Sequence, residues 1–261
     1  MALVLVVLAA LTALTVGQRS ASGQSFISAM AGYIHHVEGD VFLGGRPIHP
    51  KATDFVHVQE GQRLRTGEGR AELMLIPGSF LRLGANSEIE MVSAGLANVR
   101  FRVTAGSAIV DLLSVFEKDS ITVLAAGSEV RFPKPGLYRL NAGDPLLSLH
   151  VFRGKALVVS GSEKREIKSK QAVSVSEAGP ATIEKFNPEP PDALDEWNQT
   201  RATTLAQAVR KSRKGEDGGM DPLYREWLEM TMRRPQPQPP VSNRPDHRTP
   251  QGGEGSRQKS P

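Results

Sequence analysis

An all-β fold, a β-sandwich or a solenoid-like stack followed by one or two short α-helices, is what the sequence predicts. Three observations predict it. Apolar residues alternate with polar ones at a period of two in separate stretches. Turn residues stand between those stretches at intervals of roughly ten residues. Composition changes at Phe186, where a proline-rich segment leads into a helical pattern.

The strands come first. Val99, Phe101 and Val103 alternate with Arg100 and Arg102, and Val130 and Phe132 with Glu129 and Arg131. Leu147, Leu149 and Val151 alternate with Ser148 and His150, and Val173 and Val175 with Ser174 and Ser176. Such alternation buries one face of a strand and leaves the other wet. Turns are expected at Gly44-Gly45, Pro77-Gly78, Asn141 to Asp144 and Ser160-Gly161. Pro77-Gly78 separates AELMLI from SFLRLG and reads as a type II hairpin corner, with glycine free to take a positive φ. HHVEGDVFL, RVTAGSAIV and HVFRGKALV form a faint repeat, each with a glycine between two apolar stretches. Their spacing is irregular and establishes no regular solenoid.

The β-domain is expected over residues 32–186. Residues 187–191 (NPEPP) read as a stiff linker. Residues 192–232 read as a helical segment, with Asp192 as the cap and Asp195 and Glu196 at the positive N-terminal end. Leu194, Trp197, Leu205, Ala208 and Val209 can share one face of its first helix, and Gly215 can stop it. A second short helix is expected from Asp221, with Leu223, Trp227 and Met230 along one side. Residues 233–261 are rich in Pro, Gly and Gln and are expected to form a disordered tail.

The chain of 261 residues carries a formal net charge of +4. The tail holds six cations, Arg233, Arg234, Arg244, Arg248, Arg257 and Lys259, against Asp246 and Glu254, so the remainder is close to neutral. The tail has no aromatic residue to stack on bases, and nucleic acid is not an expected partner. There are no cysteines. That excludes a disulfide scaffold, a thiol nucleophile and cysteine-ligated zinc or iron–sulfur.

At the other end, Ala2 to Val16 is an apolar run too short for an ordinary membrane span of about 20 residues. Small residues at Ala21 and Gly23 suit a cut before Gln24. Residues 1–23 therefore read as a signal peptide or N-terminal anchor, although no Lys or Arg precedes the apolar run. Residues 2–16 are the only expected membrane contact. The expected location is exported, periplasmic or otherwise in the cell envelope.

No P-loop, dinucleotide fingerprint, nucleophile elbow or HExxH occurs. The histidines are His35, His36, His49, His57, His150 and His247. His35 and His36 are adjacent and in a regular strand point to opposite faces. His49 and His57 flank a loop and could approach each other, while His150 is expected to be exposed. Asp111 and Asp119 are near in sequence, and Glu88 and Glu90 share a strand face. These carboxylates read as surface charge. Asn198-Gln199-Thr200 matches a glycosylation sequon within the expected helix. No catalytic, cofactor-binding or metal residue is assigned, and the expected protein is not an enzyme.

The stretch LRTGEGRAELMLIPGSFLRLGANSEIEM, Leu64 to Met91, together with VEGDVFL upstream and VRFRVTAGSAIV downstream, resembles the FecR protein family over about Gly32 to Val159. Arg65, Arg70, Arg82 and Asn86 fall in register with that family's run. Arg70 and Arg82 could reach Glu72 or Glu88 across the hairpin, an interaction of little value if exposed. The resemblance implies an extracytoplasmic β-domain with a role in binding or signalling. The family's best-known members are membrane-spanning sigma-factor regulators with a cytoplasmic anti-sigma segment. Here the apolar run begins at Ala2, so the expected protein is an exported FecR-like module engaging an envelope protein or polysaccharide. Three alternatives stay open: a structural envelope scaffold, a transmembrane sigma-factor regulator if translation starts upstream, and a carbohydrate-acting enzyme.

Overall fold

The computed structural model describes residues 30–50, 56–76, 78–113, 115, 120–143, 146–177, 179–180, 182–188 and 190–213. The strands are β1 (Tyr33–Glu38), β2 (Val41–Leu43), β3 (Arg46–Pro47), β4 (Arg63–Thr66), β5 (Arg70–Ile76), β6 (Ser79–Leu83), β7 (Glu88–Gly95) and β8 (Asn98–Leu112). They continue as β9 (Ile121–Ala125), β10 (Ser128–Arg131), β11 (Gly136–Gly143), β12 (Leu146–Arg153), β13 (Lys155–Ser160), β14 (Glu163–Lys168), β15 (Gln171–Ser176), β16 (Gly179–Pro180) and β17 (Glu184–Lys185). One helix, α1 (Ala193–Arg213), follows. Among the described residues the fold is all-β apart from this helix, with more strands than the period-two stretches alone suggested.

The pairings form two ladders that share β8. The first sheet runs β3, β2, β4, β7, β8, β9, β10, β13, β14. The second runs β1, β5, β6, β8, β11, β12, β15, with β16 and β17 beside β15. Every pairing is antiparallel except β8 with β9. The alternating residues face one another between the sheets. Leu73, Leu81, Val110, Leu140, Leu149 and Val173 from the second sheet join Leu64, Ile89, Phe101, Val123, Val130 and Val158 from the first in one core. This is the sandwich alternative, with two inner faces supplying the core.

The faint glycine repeat has a structural meaning. Gly39 lies between β1 and β2, Gly106 lies within β8, and Gly154 lies between β12 and β13. At each of these points the chain passes from one sheet to the other, and all three have positive φ (65°, 82° and 90°). Asn86, between β6 and β7, makes the same crossing with φ 53°. A left-handed residue turns the strand direction sharply, which favours glycine or asparagine. The three sequence units therefore mark sheet-to-sheet corners, at spacings set by strand length.

Two expected features differ. The turn expected over Asn141 to Asp144 starts later, because Asn141 pairs with Ser107 on one side and Ser148 on the other, and the β11–β12 hairpin runs on to the Gly143–Leu146 pair, while Asp144 lies outside the described residues. His150 is half-buried, with its ring edge-on to Phe186 at 5.0 Å. Gly78 has φ 76°, as a hairpin corner between β5 and β6 requires. β14, at the end of the first sheet, reads EKREIK, and its charges discourage further edge pairing. No helix among the described residues is long and apolar enough to cross a membrane. The apolar run 2–16, the cut site before Gln24, the helix expected from Asp221 and the tail 233–261 lie outside the described residues.

Candidate functional site: the helix-covered face of the second sheet

The outer face of the second sheet carries charges where period-two patterning would leave simple wet positions. Glu72 on β5 stands opposite Arg82 on β6, and Phe80 stands opposite both Met74 on β5 and Asp111 on β8. α1 covers these residues. Its N-terminus is fixed by Asp192, whose Oδ1 accepts from the backbone N–H of Leu194 and of Asp195, both at 3.0 Å. Asp195 Oδ2 accepts in return from the Asp192 N–H at 3.3 Å, completing a reciprocal cap. Arg139 on β11 then donates to Asp192 Oδ2 at 2.5 Å and to Asp195 Oδ2 at 2.6 Å. The hydrogen bond from Arg139 holds the Asp192 carboxyl well below its ordinary range, against a smaller upward push from burial. Burial raises the carboxyl of Asp195.

The helix presents Leu194, Trp197 and Leu205 to the sheet, all buried. Ala208 is half-buried, and the side chain of Val209, expected on the same face, lies outside what is described. Leu205 packs with Met74 and Phe80, and Leu194 and Trp197 pack with Ile109. These are two small satellite clusters. Among the described side chains, none of α1 belongs to the main core between the sheets.

Between the clusters lies a buried ionic network. Arg82 donates through Nε to Glu72 Oε2 at 2.7 Å, and through Nη1 to Asp111 Oδ2 at 3.0 Å and Asn198 Oδ1 at 2.5 Å. Glu72 Oε1 accepts from His35 Nδ1 at 2.7 Å and from Arg201 Nη2 at 2.8 Å. The side chains of Glu72 and Arg82 are 0% and 1% exposed. The Glu72–Arg82 pair across the hairpin is thus not exposed but sealed beneath a helix. A buried pair is worth little net stability compared with apolar packing, but breaking it is costly.

Burial is the largest influence on Glu72 and pushes its carboxyl upward. The His35 hydrogen bond and the charges of Arg82 and Arg201 together outweigh burial and hold it far below the ordinary carboxylate range. A depressed folded-state pKa contributes stability that is fully present above the unfolded value of about 4.5. That stability is lost as pH falls through the folded value. Replacing Glu72 with Gln is therefore expected to flatten the stability–pH curve below pH about 4.5 relative to wild type. Denaturant titrations from pH 7 to 3 check this. Parallel curves would remove Glu72 as a source of acid sensitivity.

The structure places His35 and His36 on the same side, not opposite sides. A bulge between Ile34 and His36 inserts His35 as an extra residue. It adds one residue without changing the face of its neighbour. His35 reaches Glu72, and His36 stacks near Trp197 with ring centroids 6.3 Å apart. Trp197 Nε1 donates to Glu38 Oε1 at 2.7 Å. Burial raises the Glu38 carboxyl, but its bonds to Trp197 and His36 leave it lowered overall.

Other sequence candidates sit apart from this face. Glu88 accepts from Arg63 at 3.3 Å and from Thr104 at 3.1 Å, while Glu90 lies 3.8 Å from Arg102. His57 packs against Tyr33, and no contact joins it to His49 among the described residues. Asp111 belongs to the buried network, and Asp119 and His247 lie outside the described residues. The sequon residue Asn198 is 8% exposed and accepts from Arg82, so its amide faces the sheet. Among the described residues no three His, Asp or Glu side chains are placed to hold a metal ion. Two clefts flank the linker. One of about 300 Å³ is lined by Arg139, His150, Phe186 and Asp192, and one of about 470 Å³ by Ile109, Leu137, Phe152 and Asn198. Sequence reading missed Asn198 and Arg201 as partners of the sheet, since helical periodicity singles out only the apolar stripe.

No protein-family profile matches the chain, and no curated protein does. Two crystal structures from Parabacteroides distasonis, of a protein provisionally described as an anti-sigma factor, resemble it in part. One, at 1.65 Å resolution, has a TM-score of 0.39 with 16% identity, and the other, at 2.50 Å, has 0.37 with 18%. Each match covers 49% of this chain and 60% of the other, so the chain spans less than two thirds of the length of either.

Proposed function

We propose that this protein is a non-enzymatic binding or signalling module of a bacterial cell envelope, built on a FecR-like β-domain and exported by its N-terminal apolar segment. The observation that carries the reading is the use made of the FecR-like run. Its residues 64–91 supply β5 and β6 at the heart of the second sheet, and its Glu72 and Arg82 hold a helix against that sheet. Ionisable groups so engaged suit a surface that holds a protein element. The apolar run Ala2 to Val16 and the small residues before Gln24 support export.

Fractionation and intact mass of the chain expressed in a Gram-negative host test this. The expected product begins at or near Gln24 and is released with the periplasmic contents. A chain retaining Met1 and found wholly in the cytoplasm would overturn the envelope assignment.

A further inference from the structure

The interface under α1 is built unlike the core of this protein. Among the described side chains of the helix, the buried apolar ones are Leu194, Trp197 and Leu205, in two clusters separate from the main core. The space between those clusters is filled by charges. On the sheet side stand two carboxylates, Glu72 and Asp111, around one buried guanidinium, Arg82, with His35 beside Glu72 and the exposed Arg153 3.9 Å from Asp111. The helix adds the missing cation, Arg201, and an acceptor, Asn198. Even then the network is incompletely satisfied, because Arg82 Nη2 and Asp111 Oδ1 are buried with no hydrogen-bond partner. Orphaned buried polar groups weaken an interface. The helix is tethered through residues 187–191, which include Pro188, Pro190 and Pro191.

We propose that α1 is an exchangeable occupant of a helix-receiving face, and that the face accepts an amphipathic helix of a partner protein when α1 leaves. The charge of the uncovered face fixes the chemistry of that partner. The incoming helix carries an arginine or lysine opposite Glu72 and a side-chain acceptor opposite Arg82. It carries apolar anchors spaced as Leu194, Trp197 and Leu205 are spaced, to fill the Ile109 and Met74–Phe80 clusters. A helix with an acidic residue in place of the cation would set a third carboxylate beside Glu72 and Asp111, against the buried Arg82 and the exposed, more distant Arg153, and be rejected. The inference deepens the binding-module reading and rests on it. Its test uses the purified chain alone, so its failure leaves the question of export untouched, and failed export leaves this test intact.

The chain has no cysteine, so one introduced thiol reports on one position. In otherwise wild-type full-length chains, Leu205→Cys lies under the helix and Gln207→Cys lies on its exposed side. The probe is a synthetic peptide covering residues 190–213. Without peptide, Leu205→Cys is expected to react with a thiol reagent at least about 10-fold more slowly than Gln207→Cys. Excess peptide is expected to bring the two rates within about 2-fold, and the Arg201→Glu peptide to have no effect. A Leu205→Cys rate that wild-type peptide leaves unchanged would overturn the proposal. Because Leu205→Cys itself removes packing, a second measurement is independent of it. A protease site placed in residues 187–191 is cut after folding, and exchange of α1 for fluorescent peptide is followed by anisotropy. Exchange reversed by unlabelled peptide supports the proposal, and a helix that neither leaves nor is replaced overturns it.

Discussion

Arg82→Met is expected to destabilise the protein by about 3–5 kcal/mol, the usual cost of removing one partner from a buried ionic cluster. The methionine keeps most of the aliphatic stem, so the loss is electrostatic. Glu72 would retain His35 and Arg201, but Asp111 would keep only Arg153, whose Nη2 is 3.9 Å away and whose side chain is 67% exposed. Asn198 would lose the donor to its Oδ1. Urea denaturation followed by far-UV circular dichroism measures the change. A loss under about 1 kcal/mol would show that the network is dispensable, as an exposed pair is. Replacing Glu72, Arg82, Asp111 and Arg201 together with apolar residues of similar volume should recover most of the loss, because Arg201, whose side chain is 13% exposed and whose carboxylate partner is Glu72, is then removed with the other charges of the network.

Gly106→Ala is the second large effect, expected at roughly 3–5 kcal/mol from backbone strain and overpacking together, or as failure to fold. Gly106 has φ 82° at the point where β8 leaves one sheet for the other. Forcing a side chain into that backbone region costs about 1–3 kcal/mol by itself. A Cβ there would also overlap the Asn86 carbonyl oxygen and the backbone of Ser87. Ser87 cannot simply retreat, because its Oγ donates to the Ser107 carbonyl at 3.1 Å and accepts from the Ser107 N–H at 2.9 Å. Thermal unfolding of Gly106→Ala beside Gly95→Ala provides the contrast. Gly95 has open space around its missing Cβ. Similar melting temperatures for the two variants would contradict the account of Gly106 as an obligatory corner.

These two residues show how unequally the sequence reports on the fold. Gly106 was legible as part of a repeat with Gly39 and Gly154, because a left-handed corner restricts the residue type. What the repeat meant was not legible, since nothing local says which sheet a strand will join. Arg82 was legible as a member of a distinctive run with a carboxylate across the hairpin. Its burial was not legible, because period two assigns Arg82 to the face away from the main core, and that face is wet unless something covers it.

The sequence by itself determined the strand faces, the hairpin between AELMLI and SFLRLG, and a capped amphipathic helix after the proline-rich segment. All of these rest on interactions between residues close along the chain. The tertiary structure alone decided that the strands pair as a sandwich and that β8 serves both sheets. It also decided that a bulge turns His35 and His36 to one side, and that α1 lies over Glu72, Arg82 and Asp111. Those outcomes depend on contacts such as Arg82 to Asn198 and Arg201 to Glu72, between residues more than one hundred positions apart. A local pattern sets which face of an element is apolar. The partner that meets a face is chosen by the packing of the whole chain.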